Sequence, residues 1–208
     1  MLRVGDWELK LAEATLLIDA YAREYASTIR FYDFDGETDR DVRPSKGPIS
    51  VSDIGRLAII TTELTREEVG RLLTITDVQW SSVAPTARLE DADYDEPDGL
   101  YVAMQTMWAH IQNRKSGIGP GKASKLLHLK RPFAFPILGR DVCESYAKRY
   151  RKTGDFWRLI RDDLVDGADD IDKIRDRLAS AKNRDVQCAS RLPALRLLDI
   201  CAWQLQQH

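Results

Sequence analysis

Apolar side chains recur every three or four residues along most of the chain, which is the spacing of one face of an α-helix. The N-terminal region follows this spacing and predicts a first helix, with Trp7 as its first apolar position, that ends near Ile29. Thr65 with Glu68 three residues later predicts a capping box at the start of another helix. Further helices are predicted over Leu100–Ile111, Lys122–Leu129, Asp141–Tyr150, Phe156–Leu164, Ile171–Ala181 and Pro193–Leu205. Because the period-two alternation of a half-buried strand is almost absent, we predict an all-α fold.

Two polar stretches interrupt the helical pattern and suggest how the chain is divided. Asp33–Pro48 is rich in aspartate, glycine and proline, which is typical of a loop. Glu90–Gly99 is a second loop and is strongly acidic. We take it as the boundary between an N-terminal helical lobe, residues 1–96, and a C-terminal helical lobe, residues 97–208.

The composition is that of an ordinary globular protein with a sizeable core, since 43% of the 208 residues are hydrophobic and 31% are charged. Three cysteines, Cys143, Cys188 and Cys201, lie far apart and form no CxxC pair, so neither a zinc site nor a disulfide framework is predicted. We expect three reduced thiols, two of them in the core, in a cytoplasmic protein. The sequence shows no signal-peptide pattern and no apolar run long enough for a membrane span, so no membrane partner is expected.

Charge is distributed very unevenly along the chain. Between Arg114 and Lys152 eleven lysines and arginines stand against two acidic residues, so this segment carries +9 while the whole chain carries −2. The remainder therefore carries −11. A positive segment on a negative body is typical of polyanion binding. Solvated helix faces paired with the acidic loops would give the same pattern, and charge alone does not separate the two interpretations.

The glycines at the start of this segment favour nucleic-acid binding. Gly117-Ile118-Gly119 can turn the chain between two helices, with Ile118 packed inward, and Pro120 suits the first position of the second helix. Backbone amides at a helix N-terminus hold phosphate well. The pattern predicts a helix-hairpin-helix that grips the backbone of double-stranded DNA without reading bases. The predicted nucleic-acid-binding residues are Gly117, Gly119, Gly121, Lys122, Lys125, Lys130, Arg131 and Arg140.

A plain tight turn in a helical bundle is the alternative interpretation of the same glycines.

The stretch GIGPGKASKLLHLKRPFAFPILGRDVCESYAKR resembles the core of the helix-hairpin-helix base-excision DNA glycosylases. Over most of its length the chain is similar to a bacterial family of unknown function, with which it shares ASKLLHLKRP, PIL and the terminal LPALRLLDICAW. The first resemblance implies a glycosylase-like helical bundle, in which the hairpin is followed by a catalytic aspartate at the start of a later helix.

The chain departs from the glycosylase pattern at both catalytic positions. The resemblance places the catalytic aspartate at Gly139 and the lysine nucleophile of the bifunctional enzymes at Gly121. Lys122 and Asp141 lie nearby in sequence, but one or two residues along a helix rotate a side chain by about 100° or 200°. We therefore expect Asp141 to cap the helix that begins there, with Glu144 three residues later.

Asp199 is the other candidate carboxylate, because it lies in a helix that is apolar almost all round. A buried carboxylate can have a raised pKa and a catalytic role, but a local pair with Arg196 is the more ordinary expectation. His110 and His128 have no partners at metal-ligand spacing, so no metal or cofactor is predicted. Trp80 is less regularly placed than the other tryptophans and could line a cleft.

The sequence therefore predicts a DNA-binding protein on a glycosylase-like scaffold that lacks the expected catalytic aspartate. The first rival is an active glycosylase or other nucleic-acid enzyme with a relocated group, for which Asp141, Asp199 and Lys122 are the candidates. The second is a protein-interaction module in which the hairpin is only a structural turn. Exposed amides at Gly119 would favour DNA binding, whereas a buried hairpin would favour the interaction module.

Overall fold

The chain folds as an all-α protein, as the hydrophobic pattern predicts. The computed structural model describes residues 1–31, 47–60, 63–112 and 117–207. Most of the predicted loop Asp33–Pro48, and also Arg114 and Lys115 of the positive segment, lie outside the described residues. Within these ranges the structure has twelve α-helices and one two-stranded antiparallel sheet.

The elements follow one another in the order β1, β2 and then α1 to α12. The strands are β1 (Leu2–Val4) and β2 (Trp7–Leu9), and the first helices are α1 (Leu11–Glu24), α2 (Ala26–Phe31), α3 (Val51–Ile60), α4 (Arg66–Thr74) and α5 (Leu100–Ile111). The remaining helices are α6 (Pro120–Lys130), α7 (Arg140–Ser145), α8 (Ala147–Thr153), α9 (Phe156–Asp166), α10 (Ala168–Ala179), α11 (Arg184–Ala189) and α12 (Ala194–Gln204). Short 3₁₀ helices lie at Trp80–Ser82 and Leu89–Asp91.

The predictions for individual helices are confirmed at α5 and need correction at two others. Trp7 is not part of the first helix but lies in β2, where it pairs with Val4 across a tight turn that contains Gly5 at φ +61°. The predicted helix Asp141–Tyr150 is two helices, α7 and α8, which meet at the buried Tyr146. The predicted capping box of α4 is confirmed: the Glu68 amide donates to Thr65 Oγ1 at 3.2 Å, and the Thr65 amide donates to Glu68 Oε2 at 2.8 Å.

The described residues form two compact units. The first unit comprises those within 1–43 and 139–208, and the second comprises those within 44–138. The predicted boundary between residues 96 and 97 falls inside the second unit, and the acidic loop before α5 is part of that unit. The positive segment is shared between the two units, with α6 in the second and α7 and α8 in the first.

The core of the first unit is built from the two ends of the chain. α1 packs against α10, α11 and α12, and its buried face consists of Ala14, Ile18, Tyr21 and Ala22. α12 is buried on nearly all sides, which explains its almost uninterrupted apolar sequence. β1 packs on α9 and thereby holds the small sheet against the helices.

The core of the second unit lies around α6, which packs against α3 and α5. Ala123, Leu126, Leu127 and Leu129 of α6 are fully buried. Leu57 of α3 contributes to the same core. Because α6 is surrounded in this way, its first turn is the part that can meet a ligand.

Candidate nucleic-acid interface

In the predicted hairpin loop, Gly117–Gly119, the conformational demand falls on Gly117 and not on Gly119. Gly117 has φ +65°, and a β-carbon there would collide with the Arg71 guanidinium. Gly119 has an ordinary φ of −69° and a ψ of 159°. A β-carbon on Gly119 would meet no protein atom within 4 Å, so this glycine is not required by the protein's own packing. The open space at Gly119 leaves room for a ligand to approach the backbone.

The N-terminus of α6 is exposed and carries no capping side chain. Gly119 is the N-cap residue, Pro120 occupies the first helical turn, and both are exposed. Ile118 is 4% exposed and forms the predicted inward plug of the turn. The amides of Gly121 and Lys122 belong to the first turn, where a helix has no carbonyl partners of its own for its N–H groups. The turn therefore presents backbone donors and the positive end of the helix dipole to solvent.

Lys122 lies at this turn, but its ammonium group is already bound. Lys122 Nζ donates to both carboxylate oxygens of Glu68, at 2.7 and 2.9 Å. The bond from Lys122, together with the Thr65 amide, holds the pKa of Glu68 below its usual value. Glu68 thus caps α4 and neutralises Lys122 at the same time. A phosphate at the hairpin would have to compete with Glu68 for this lysine.

Arg71 is a cation at the hairpin that the sequence analysis missed. Its guanidinium lies against Gly117, and Arg71 Nη2 forms an ion pair of 3.3 Å with Glu67. Lys125, on the same helix as Lys122, is half-buried and has an interaction partner within the molecule. Arg71 precedes the hairpin by more than forty residues, and nothing in the local sequence links it to Gly117. The helical period of α4 alone could not have placed it there.

Two of the residues predicted to contact DNA lie inside the second unit, which corrects their assignment. Lys130 is 0% exposed, donates to Asp53 Oδ2 at 3.0 Å and lies 4.6 Å from the centre of the Trp80 ring. Arg131 is 1% exposed and donates to the carbonyl oxygens of Val83 and Trp80, at 2.6 and 2.7 Å. Both cations are used to satisfy buried acceptors, so neither is presented to a ligand at the surface.

Arg140 belongs to the first unit and is the most exposed cation of the predicted set. Its side chain is 84% exposed and lies 3.4 Å from Asp141 Oδ1 and 3.8 Å from Glu144 Oε1. Gly139 is the N-cap residue of α7, with φ −73° and ψ 164°, so the expectation that Asp141 caps this helix is wrong. Asp141 lies in the first turn instead, and its Oδ2 accepts a bond of 3.2 Å from Gln207 Nε2.

Asp199 has the local partner that the sequence predicts. It is 6% exposed and forms an ion pair with Arg196 one turn earlier on α12. Arg196 also donates to the Tyr21 hydroxyl at 2.7 Å, and burial raises the pKa of that hydroxyl. The carboxylate is therefore one member of a buried, hydrogen-bonded group in the first unit, which is the ordinary structural role of such a residue.

The remaining candidates have structural positions. Trp80 is 5% exposed and lies in the core rather than along a cleft. His128 is buried, and its Nδ1 is 2.7 Å from the carbonyl oxygen of Phe135. Cys188 and Cys201 are buried and Cys143 is half-buried, and burial raises the pKa of Cys201 to about 12.

Across the described ranges no three His, Cys, Asp or Glu side chains come together as a metal site. No helix in those ranges is long and apolar enough to cross a membrane.

Comparison with known proteins gives a family but no activity. The model of a family of unknown function, DUF6308, matches residues 24–206. No curated protein matches the chain. No solved structure matches it either. Residues 1–23, which include the small sheet and most of α1, precede the matched segment.

Proposed function

Since the chain belongs to DUF6308, a family whose function is unknown, we propose its function from the geometry of the second unit. The protein binds double-stranded DNA through the phosphate backbone at the hairpin, without reading base sequence. The observation that carries this proposal is the exposed N-terminus of α6 at Gly119 and Pro120, which has no capping side chain. We also propose that the protein is bacterial and that its helical scaffold resembles that of the helix-hairpin-helix DNA glycosylases.

The physical argument rests on the donors of the first turn. A phosphate oxygen placed beside Gly119 would meet the amides of Gly121 and Lys122 and the positive end of the α6 dipole. No β-carbon on Gly119 obstructs this approach. The buried Ile118 fixes the turn, so the amides are held in place before the ligand arrives. Contacts of this kind recognise the backbone and carry no sequence information.

The local charges indicate a modest affinity. Lys122 and Arg71 supply two cations, but Glu68 and Glu67 are bound to them. Lys130 and Arg131, which are buried, contribute no surface contact. The number of phosphate contacts, and with it the salt dependence, is therefore expected to be small for a DNA-binding protein.

Three thiols without disulfides also fit a reducing compartment, so we retain the cytoplasmic location in the proposal.

The first experiment measures binding of a labelled duplex of random sequence at several salt concentrations. We expect binding at low salt that weakens as salt rises, with a slope of log K against log salt of about −0.9 for each phosphate contact. A second duplex of unrelated sequence should bind equally well. The double variant Lys122→Glu/Lys125→Glu should reduce duplex binding to background while its helical circular dichroism is retained.

A matched control changes the same charge elsewhere. Lys182 and Arg184 are exposed in the first unit, and Lys182→Glu/Arg184→Glu alters the net charge by the same amount. This control should bind duplex like the wild type, to within about twofold, because it does not touch the hairpin. Binding that persists in folded Lys122→Glu/Lys125→Glu would exclude the hairpin as the DNA site. No binding of any duplex at low salt would instead favour the protein-interaction module.

A separate prediction concerns Glu68, which competes with phosphate for Lys122. Glu68→Gln should strengthen duplex binding by about two- to fivefold, since a surface ion pair of this kind is worth at most about 1 kcal/mol. Glutamine retains the capping box with Thr65, so α4 should remain intact. Glu13 is the corresponding control, because it accepts the Lys10 amide at the start of α1 in the first unit, at 2.8 Å. Weaker duplex binding by Glu68→Gln than by Glu13→Gln would contradict a role for Lys122 at the phosphate.

A further inference from the structure

The second half of the positive segment lies in the first unit, where it borders a groove that the hairpin proposal does not use. Two neighbouring cavities, of about 540 and 310 Å³, lie against the small sheet and α8, and the larger one also borders α9. Both are lined by Arg3, Arg149 and Lys152. The larger cavity has the size of a typical small-molecule site.

A buried carboxylate fixes two of these cations. Asp163 on α9 has a side chain that is 0% exposed, and its Oδ1 accepts bonds of 2.6 Å from Arg3 Nε and from Arg149 Nη1. Its Oδ2 accepts a bond of 2.8 Å from the Gly5 amide in the β1–β2 turn. One carboxylate therefore joins the small sheet, α8 and α9. The two guanidinium groups are held in place before any ligand binds.

The start of α8 is tied to the same turn. Asp6 accepts the backbone amides of Lys148 and Arg149, at 2.8 and 3.1 Å, and the Asp6 amide donates to the carbonyl oxygen of Ser145 at 2.8 Å. The Asp6 carboxylate is thus occupied as the acceptor for this helix start. The arrangement directs α8 along the groove and sets the positions from which its lysine side chains extend.

More basic than acidic residues line the groove, although Asp163 and Asp166 offset the charges of Arg3 and Arg149. The basic residues that line the two cavities are Arg3, Lys148, Arg149, Lys152 and Arg158, and the acidic ones are Asp6, Glu8 and Asp162. Arg3 is also paired with Asp166, at 2.5 Å. Lys148 and Lys152 are exposed, and neither ammonium group forms an ion pair with any described residue. These two lysines are the cations that remain available to an anion.

An aromatic side chain lies at the same place. Trp7 is 48% exposed and lines the smaller cavity together with Lys148 and Lys152. Its cross-strand partner, Val4, is fully buried, so the sheet is anchored while the indole remains open to solvent. An indole beside uncompensated lysines is the combination with which proteins bind unpaired nucleotides, because the ring stacks on a base and the cations meet its phosphate.

We infer that this groove binds an unpaired nucleotide, with the base stacked on Trp7 and the phosphate held by Lys152 and Lys148. The inference goes beyond duplex binding at the hairpin and does not depend on it, because all its residues belong to the first unit. The ligand is either a free mononucleotide or an unpaired stretch of a nucleic-acid strand. Both present the same chemistry, an aromatic base linked to a phosphate.

The test compares three probes on the full chain: a labelled single-stranded dT10, adenosine monophosphate and inorganic phosphate. We expect dT10 to bind, and Trp7→Ala to weaken that binding about tenfold or more, while Trp7→Phe retains it to within about threefold. Lys152→Glu should weaken dT10 binding at low salt, whereas Lys182→Glu should not. Circular dichroism of each variant checks that the sheet and helices are retained.

The outcomes distinguish a free nucleotide from an unpaired strand as the ligand, and they distinguish the groove from the hairpin as the site. Competition by adenosine monophosphate at similar concentrations assigns the groove to free nucleotides, and its absence assigns the groove to strands. Competition by inorganic phosphate as effective as that by the nucleotide would overturn the role of Trp7. Unchanged dT10 binding in both folded Trp7→Ala and Lys152→Glu would overturn the inference altogether. Trp7→Ala should leave binding of the fully paired duplex at the hairpin intact, so either site can fail without the other.

Discussion

Replacing Lys130 by methionine is expected to lower the free energy of unfolding by about 3–5 kcal/mol, which is typical for the loss of one partner from a buried ion pair. Lys130 and Asp53 are 0% and 1% exposed, and methionine would leave the Asp53 carboxylate buried without its ammonium partner. The bonds from Ser50 would remain. Urea unfolding followed by tryptophan fluorescence measures the effect, and Trp80 beside Lys130 is a suitable reporter.

The effect should depend on pH in a defined direction. Burial alone would raise the pKa of Asp53, but the Ser50 bonds and the Lys130 charge outweigh it and leave that pKa lowered. In the wild type, the stability contributed by ionised Asp53 is complete above the ordinary aspartate pKa of about 3.9. It is lost as the pH falls through the lowered pKa of Asp53 in the folded protein. Without the Lys130 charge, only the Ser50 bonds offset burial, so the pKa of Asp53 should rise. The difference in the free energy of unfolding between the wild type and Lys130→Met should therefore be largest near neutral pH and should become smaller towards pH 4.

Two further variants make this result specific. Lys173→Met removes an exposed lysine that is 3.3 Å from Asp170, and it should change stability by less than about 0.5 kcal/mol. Lys130→Met combined with Asp53→Asn removes both charges and should recover a large part of the loss. A Lys130→Met protein with the urea midpoint and slope of the wild type would show that the buried pair does not contribute in this way.

The second large effect concerns catalysis. We expect the wild-type protein not to release uracil, oxidised guanine or alkylated adenine at enzymatic rates, because Gly139 stands where the glycosylase pattern has its aspartate. A positioned acid or base is typically worth about 10²–10⁴ in rate, so its absence should leave only residual turnover. Single-turnover excision assays on labelled duplexes measure this directly.

Gly139→Asp is the matching gain-of-function variant, and the structure accommodates it. A β-carbon at Gly139 would meet no atom within 4 Å, and aspartate is a preferred residue at the N-cap position that Gly139 occupies. We expect the variant to fold at least as well as the wild type. Base release by Gly139→Asp alone would identify the protein as a binding relative of a catalytic scaffold.

The rival enzyme proposal makes the opposite prediction. Base release by the wild type that is lost in Asp141→Asn would show that the catalytic site has moved by two residues. Asp199→Asn is a weaker test, because it also breaks the buried pair with Arg196 and can act through folding. Its activity is therefore to be compared at matched helical circular dichroism.

Local sequence patterns predicted most of the helices, for a physical reason. The bounds of α5, the capping box of Thr65 and Glu68 and the inward position of Ile118 depend on residues a few positions apart. Helical periodicity and capping are local properties, so a single sequence contains them. The Arg196–Asp199 pair was predictable in the same way, since its members are three residues apart on one helix.

The candidate site was harder to predict, because burial of a charge depends on tertiary packing. Lys122 and Lys130 lie on the same helix and looked alike in the sequence. One lies at an exposed helix end and the other faces Asp53, a residue 77 positions away along the chain. The positive segment is continuous in sequence, but its lysines are divided between two units. The position of Trp7 beside α8 likewise follows from long-range contacts that no local pattern records.

The first unit joins the two ends of the chain, and this arrangement has a consequence for synthesis. α1 is translated well before its packing partners α10, α11 and α12, which lie far downstream in the sequence. At about 5–20 residues per second, the apolar face of α1 stays uncovered for roughly ten seconds or more. The second unit is continuous in sequence and can complete its contacts during that interval. Nascent chains of this protein are therefore expected to present the α1 face to chaperones until α10, α11 and α12 have been translated.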